Sequence, residues 1–305
     1  MLRKEGWSIL HYAAGEGNLA LARYFVLMSK TAHIPDEDGV LPLHVAAYHG
    51  RLEVLQWLLR QVEEPLDHLA DLQGLRPLHY AVLGGHQGSV EILLKGGHPP
   101  DSRDQNGVSP LHLTALQNRA DLTKLLLEAG AQPNIRDKDG ETPLHAAAYV
   151  GAVEVARLLL EHGADPNAPD RFHTTPLHAA CATGFQRMQA FLKEKGETPE
   201  TPPPEMYRKM PALVAGTHRA VAQLLLEHGA RVDARDDRQD TPLHIAAVTG
   251  NRDLVELLLA HGANPFQRNT YGDTALDLAR QAGYQEIVDL LKQARSGTDT
   301  PRNQA

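Results

Sequence analysis

The stretch Asp137-Lys138-Asp139-Gly140-Glu141-Thr142-Pro143-Leu144-His145-Ala146-Ala147-Ala148 decides the fold, together with Gly151, Val155, Leu158, Leu159, Gly163 and Ala164 behind it. Asp137 to Gly140 reads as a tight turn, because glycine reaches the positive φ that closes it. Thr142 is then a helix N-cap, its hydroxyl available to a free first-turn N–H. Pro143 takes the first helical position, where no donor is needed and φ is already helical. Leu144, Ala147 and Ala148 form an apolar stripe with small members, which lets a neighbouring helix come close. Gly151 ends this short helix. Val155, Leu158 and Leu159 begin a second stripe at 3.6-residue spacing, and Gly163 ends that helix as a left-handed cap. One turn and two short helices cannot enclose a core, so such a unit must stack on others like itself.

The rest of the chain supplies the others. Thr-Pro-Leu-His returns at Thr175 and Thr241, and weaker copies lead from Ser8, Leu41, Arg76, Ser109 and Thr274. The leading positions are separated by 33, 35, 33, 33, 33, 66 and 33 residues. Since 66 is twice 33, a hidden copy is expected near residue 208. Arg208-Lys209-Met210-Pro211 stands there, and residues 221–230 match 155–164. The count is therefore nine units, at about 3–35, 36–70, 71–103, 104–136, 137–169, 170–202, 203–235, 236–268 and 269–294, the seventh degenerate. Residues 295–305 read as a polar, disordered tail.

The pattern D-x-x-G-x-T-P-L-H-x-A-A, then G, then V-x-x-L-L-L-x-x-G-A, resembles the ankyrin repeat family over nearly the whole chain. The resemblance implies an all-α helical repeat solenoid of nine ankyrin-type helix-turn-helix units with β-hairpin fingers. Fingers and first helices would line a concave, protein-binding face, with the second helices behind. It implies no activity, since fold is not function.

Composition narrows the class. Apolar residues make up 42% of the 305, too many for a disordered chain, and no stretch reaches the run of apolar residues a membrane span needs. The N-terminus does not read as a signal peptide, because Glu5 interrupts the basic region. A single cysteine, Cys181, excludes a disulfide framework and a cysteine-rich zinc site, and fits a reducing cytoplasmic or nuclear compartment. The net charge of −8 lies entirely in residues 61–170, which hold 8 Lys and Arg against 16 Asp and Glu. Such a surface repels phosphate, so the expectation is no nucleic acid, no membrane, and a protein partner with a basic, partly apolar face, bound by a monomer.

Seventeen histidines invite a metal or catalytic reading. Seven (His11, His44, His79, His112, His145, His178, His244) hold one repeat position in the first helical turn, where the ring can bond the capping residue or the next finger. His162, His228 and His261 precede a helix-ending Gly-Ala, where a ring meets free carbonyls. No metal-binding signature accompanies them. Cys181 aligns with Ala148 and reads as a small buried residue rather than a nucleophile served by His178. Gly84-Gly85 and Gly96-Gly97 read as helix stops, since no Lys-Ser/Thr follows them. The expectation is no enzyme and no cofactor.

The expected partner-binding residues flank the turn glycine or precede the glycine of the first helix. They are Val40, Tyr48, His49, Leu72, Leu75, Leu83, Val108, Leu116, Lys138, Asp139, Glu141, Tyr149 and Val150. Leu72, Leu75, Val108 and Leu116 at turn and helix-end positions either mark an interface or pack against one another. Irregularities mark boundaries. Trp7, Tyr12 and Tyr24 form an atypical N-terminal cap unless the chain is a piece of a longer one. Unit two carries two extra residues near 62–67. Unit seven, with Thr201-Pro202-Pro203-Pro204 and Pro211, is expected to have a distorted finger around 197–210, because proline removes ladder donors. The function this suggests is a non-catalytic scaffold or adaptor; the alternative is a regulatory inhibitor that blocks an enzyme's active site.

Overall fold

The computed structural model describes residues 6–62, 68–182 and 217–298. Among these there are sixteen helices and no strand, and they fall in two compact units divided after Lys138. The Met1–Lys138 unit holds α1 (Ile9–Glu16), α2 (Leu19–Ser29), α3 (Pro42–Tyr48), α4 (Leu52–Leu59), α5 (Pro77–Leu83), α6 (Gln87–Lys95), α7 (Pro110–Leu116) and α8 (Ala120–Glu128). The Asp139–Ala305 unit holds α9 (Pro143–Val150), α10 (Val153–Glu161), α11 (Pro176–Cys181), α12 (Thr217–Glu227), α13 (Pro242–Val248), α14 (Arg252–Ala260), α15 (Ala275–Gln281) and α16 (Gln285–Thr298).

Within each unit the odd-numbered helices pack in one row and the even-numbered in a second. The leucine two places beyond each cap is the centre of the first row: Leu10, Leu78, Leu111, Leu144 and Leu177 are fully buried. Small residues let the helices close up. Gly84 lies so near the Tyr48 carbonyl that a Cβ there would collide with it.

The repeated histidine ties each unit to the next. The backbone N–H of Thr142 donates to His145 Nδ1 at 3.1 Å, and the Thr142 hydroxyl sits 2.9 Å from the same nitrogen. Thr142 thus serves the ring, and its carbonyl rather than its hydroxyl takes the first-turn N–H of His145. That corrects the expected hydroxyl cap. A backbone N–H can only donate, so Nδ1 is the acceptor and the ring proton sits on Nε2. Nε2 then donates to the Thr174 carbonyl at 3.2 Å, 29 residues on. His11 reaches Val40, His79 reaches Val108 and His244 reaches Asp273 in the same way. His162, His228 and His261 each bond, through Nδ1, the carbonyl four residues back, as expected of a ring at a helix end.

His44 is the exception. Its Nδ1 accepts from Leu41, yet its Nε2 has no bonding partner.

The fingers are tight turns, and no strand of the expected β-hairpins is present among the described residues. Asp36 Oδ1 accepts the backbone N–H of Asp38 and Val40, and Asp71, Asp104, Asp170 and Asp236 repeat this pair of bonds. Successive fingers share one backbone bond: Leu72 N–H to the Asp38 carbonyl, Gln105 to Gln73, Lys138 to Asn106, Arg171 to Asp139. The turn is too short for a ladder, so no strand forms. Where glycine is missing from the turn, His173 and Gln239 still take a φ of 60° and 59°.

Bonds among the described residues cross the span of the expected seventh unit. His178 Nε2 bonds the Asp240 carbonyl, the Asp237 N–H bonds Phe172, and the Thr249 hydroxyl bonds the Cys181 carbonyl. The finger at 170–174 is thus the direct neighbour of the finger at 236–240, and α11 packs against both α12 and α13. Residues 221–230 do form a second helix, as their match to 155–164 predicts, and α12 pairs with α11. The described residues therefore make eight helix pairs. The expected finger and first helix around 197–216 lie outside the described residues.

Candidate partner-binding face

In the Met1–Lys138 unit the first helices and fingers meet at a small cleft of about 110 Å³. Trp7, Tyr48, His49 and Tyr80 supply aromatic walls, Val40 and Val45 line it further, and Asp36 adds a carboxylate. Each is placed by the repeat. Tyr48 and His49 end α3, Tyr80 lies one turn into α5, and Trp7 precedes the Ser8 cap of α1. The rings support one another, Tyr48 standing edge-on to Tyr80 with centroids 6.5 Å apart and to His49 at 5.1 Å. Trp7 stacks on His11 at 5.8 Å and meets Tyr12 edge-on at 5.3 Å.

Polar bonds lock the rings in place. Trp7 Nε1 donates to Asp36 Oδ2 at 3.2 Å, and the Tyr80 hydroxyl donates to Asp71 Oδ2 at 2.8 Å. Burial first, then the bond to Asp71 and the charges of Asp71, Asp36 and Asp38, push the Tyr80 phenol far above its ordinary pKa. Burial, then Arg51 and His86, lower the pKa of His49, so its ring is neutral near pH 7. Arg51 itself is directed by Nε to the Gly15 carbonyl at 2.7 Å.

The expected binding residues divide. Val108, Leu116 and Val150 are buried and offer no side chain to a partner, while Val40, also buried, lines the cleft. Their apolar character belongs to the core, and neighbouring fingers and helices covering them is the physical reason the expectation fails. Leu75 and Leu83 are half-buried. Leu72 alone of the four grouped leucine and valine positions is open, at 66% exposure. Tyr48 and His49 line the cleft. Lys138 is exposed, and Asp139, Glu141 and Tyr149 are half-buried. In the Asp139–Ala305 unit the finger tips pair among themselves: Arg171 holds Asp139 at 2.6 Å and His173 meets Asp237 at 2.7 Å. Arg171 also lies over the Phe172 ring, 4.5 Å from its centroid.

Trp7, Asp36, Val45 and Tyr80 are the cleft residues the sequence reading did not assign to binding. A signal existed: the position four past the cap is alanine at Ala146 and Ala179 but tyrosine at Tyr12 and Tyr80.

Cys181 is fully buried, and burial raises its thiol pKa far above the ordinary value, as suits a core residue. No described group of three or more His, Cys, Asp or Glu residues is arranged to hold a metal ion. No described helix is long and apolar enough to cross a membrane.

This stack, with its histidine ties and turn fingers, defines a class, and comparison with known proteins agrees. The ankyrin repeats (3 copies) family matches residues 1–67, 61–137, 78–170, 114–202 and 210–303, so the chain belongs to the ankyrin repeat family. Human ankyrin repeat and SOCS box protein 3 is 30% identical over 96 residues, 31% of this chain and 18% of that protein. Human transient receptor potential cation channel subfamily A member 1 is 31% identical over 94 residues, 30% of this chain and 8% of that protein. Bovine ankyrin repeat and SOCS box protein 2 is 37% identical over 67 residues, 22% of this chain and 10% of that protein. The matched part is less than a fifth of each relative's length. Ankyrin repeats are protein–protein interaction modules, and no catalytic family is among the matches.

Proposed function

We propose that the chain is a non-catalytic scaffold or adaptor that binds a protein partner through the finger and first-helix face of its Met1–Lys138 unit. The observation that carries this reading is the aromatic cleft beside an open Leu72, both flanked by finger carboxylates. Interface centres are enriched in such rings, and a surrounding charge of one sign steers a partner of the other. His11 and His79 of the repeated position bond the backbone of the next finger, so recognition rather than chemistry is the use we assign to this face. The relatives point the same way: in them ankyrin repeats occur beside a SOCS box or in a cation channel subunit, as suits a module that recruits. A partner with a basic, partly apolar surface, met in the cytoplasm or nucleus, fits this face.

The test is cross-linking mass spectrometry on the chain with a purified candidate partner. Cross-links and protection should centre on residues 36–49 and 70–83. Cross-links confined to the second helices would refute the reading. Adding the complex to the partner's own activity assay, where it has one, separates a recruiter, which leaves turnover unchanged, from the inhibitor alternative.

A further inference from the structure

The cleft in the Met1–Lys138 unit has a chemistry more specific than a general interface. Three electron-rich rings, Trp7, Tyr48 and Tyr80, converge on a space of about 110 Å³ that also contains the Asp36 carboxylate. That volume suits one side chain, not a helix or a strand. Aromatic faces attract a cation placed within about 6 Å of the ring centroid. A carboxylate in the same pocket excludes anions and favours the same ligand.

Asp36 is held where it can act. It is 8% exposed, its Oδ1 takes two backbone N–H groups and its Oδ2 takes the Trp7 indole. These donor bonds fix the carboxylate in place while leaving lone pairs for a further donor. Glu37 and Asp38 stand exposed on the same finger, and Asp71 lies behind Tyr80. The described basic groups do not compete for the space: Arg51 is directed to Gly15, and His49 is neutral near pH 7. An uncharged apolar ligand would cover the carboxylate without pairing it. A cation would not.

We infer that this cleft receives one cationic side chain, an arginine or lysine, from a protein partner, held between the rings of Trp7, Tyr48 and Tyr80 and paired with Asp36. The inference rests on the scaffold reading above and supplies its anchor point. The basic, partly apolar partner face then becomes one basic residue seated in the cleft, with apolar neighbours against Leu72.

The probe is the blocked tripeptide acetyl-Gly-Arg-Gly amide, with its citrulline counterpart as a control of the same shape and no charge. The readout is the Trp7 indole N–H signal in proton–nitrogen NMR of the full chain. The chain has two tryptophans, so Trp57→Phe assigns the signals. Titration to about 10 mM would fill a site of millimolar affinity, the range of a single side-chain contact. The arginine peptide should move Trp7 saturably and leave Trp57 in place, and the citrulline peptide should move neither. Tyr48→Leu should weaken the arginine peptide at least about fivefold. Asp36→Asn should weaken it at least about tenfold. The asparagine variant keeps the turn, because Asn269 makes the same two Oδ1 bonds in the last finger. Equal shifts from both peptides, no saturable shift at Trp7, or unchanged affinity in both variants would overturn the inference. A partner that still binds the doubly substituted chain on the finger face refutes the cleft and leaves the scaffold reading standing.

Discussion

Lowering the pH from 7 to 5 should destabilise the Met1–Lys138 unit far more than the other. Besides His11 and His112, three histidines of this unit are buried in the folded chain, His44, His79 and His98. Burial pushes their pKa values down to about 3, about 4 and about 4. In the unfolded chain they return to about 6.5. Below that value the unfolded state binds protons that the folded rings refuse, so stability falls as pH falls. It is fully present above 6.5 and is lost on the way down towards 4. Each histidine contributes a slope of about 1.4 kcal/mol per pH unit, so three lose about 6 kcal/mol by pH 5. That is comparable to the whole stability of an ordinary domain, about 5–15 kcal/mol. Asp104 works the other way: burial raises its pKa, so it gains stability as pH falls and trims the loss.

The second unit differs. There His178, pushed down to about 4, and His218, also lowered by burial, are opposed by Asp236, pushed up to about 6, and by Asp240, also raised by burial. The assay follows from the sequence, since both tryptophans, Trp7 and Trp57, lie in the first unit. Their fluorescence during urea unfolding reports that unit, while circular dichroism reports all the helices. The fluorescence midpoint should drop steeply between pH 6.5 and 5. His98 makes no bond through either ring nitrogen, so His98→Leu should flatten the slope by about a third and raise stability at pH 7. A fluorescence midpoint constant from pH 7 to 5 would refute the reasoning.

Leu144→Ala, at a fully buried site, should cost about 2–5 kcal/mol in chemical denaturation through the cavity it leaves. Gln239→Gly should stabilise by about 1 kcal/mol, because Gln239 holds a positive φ that glycine takes freely; an unchanged midpoint would count against strain there. Deleting residues 185–217 should preserve the fold, because it joins Thr183-Gly184 to His218 and restores the 33-residue spacing that the bonds of His178 and Asp237 already follow. Loss of cooperative unfolding in that variant would mean the deleted residues form an essential stacked unit. Glu37→Lys should slow partner association and flatten its salt dependence, while Leu72→Ala should chiefly speed dissociation, both read by surface plasmon resonance.

The periodic elements were legible in the sequence because their causes are local. Pro143 and its equivalents start helices, Gly163 stops one, Asp36 and Gly39 close a turn, and Leu144 must be buried wherever the chain places it. The 33-residue period then requires stacking, and the histidine at its fixed place was rightly read as a bond to the cap and the next finger. What lay beyond the sequence was which unit follows which in space. A second helix at 217–227 completes the unit of Thr175 as well as it would complete one of its own, and periodicity cannot distinguish them. Only the bonds from His178 to Asp240 and from Asp237 to Phe172 do so. Exposure was decided there too. Val108 and Leu72 hold similar turn positions and look alike as letters, yet one is covered by its neighbours and the other is open. The cleft is the same case: Trp7, Asp36, Tyr48 and Tyr80 come from three successive units, and only stacking brings their side chains to one space.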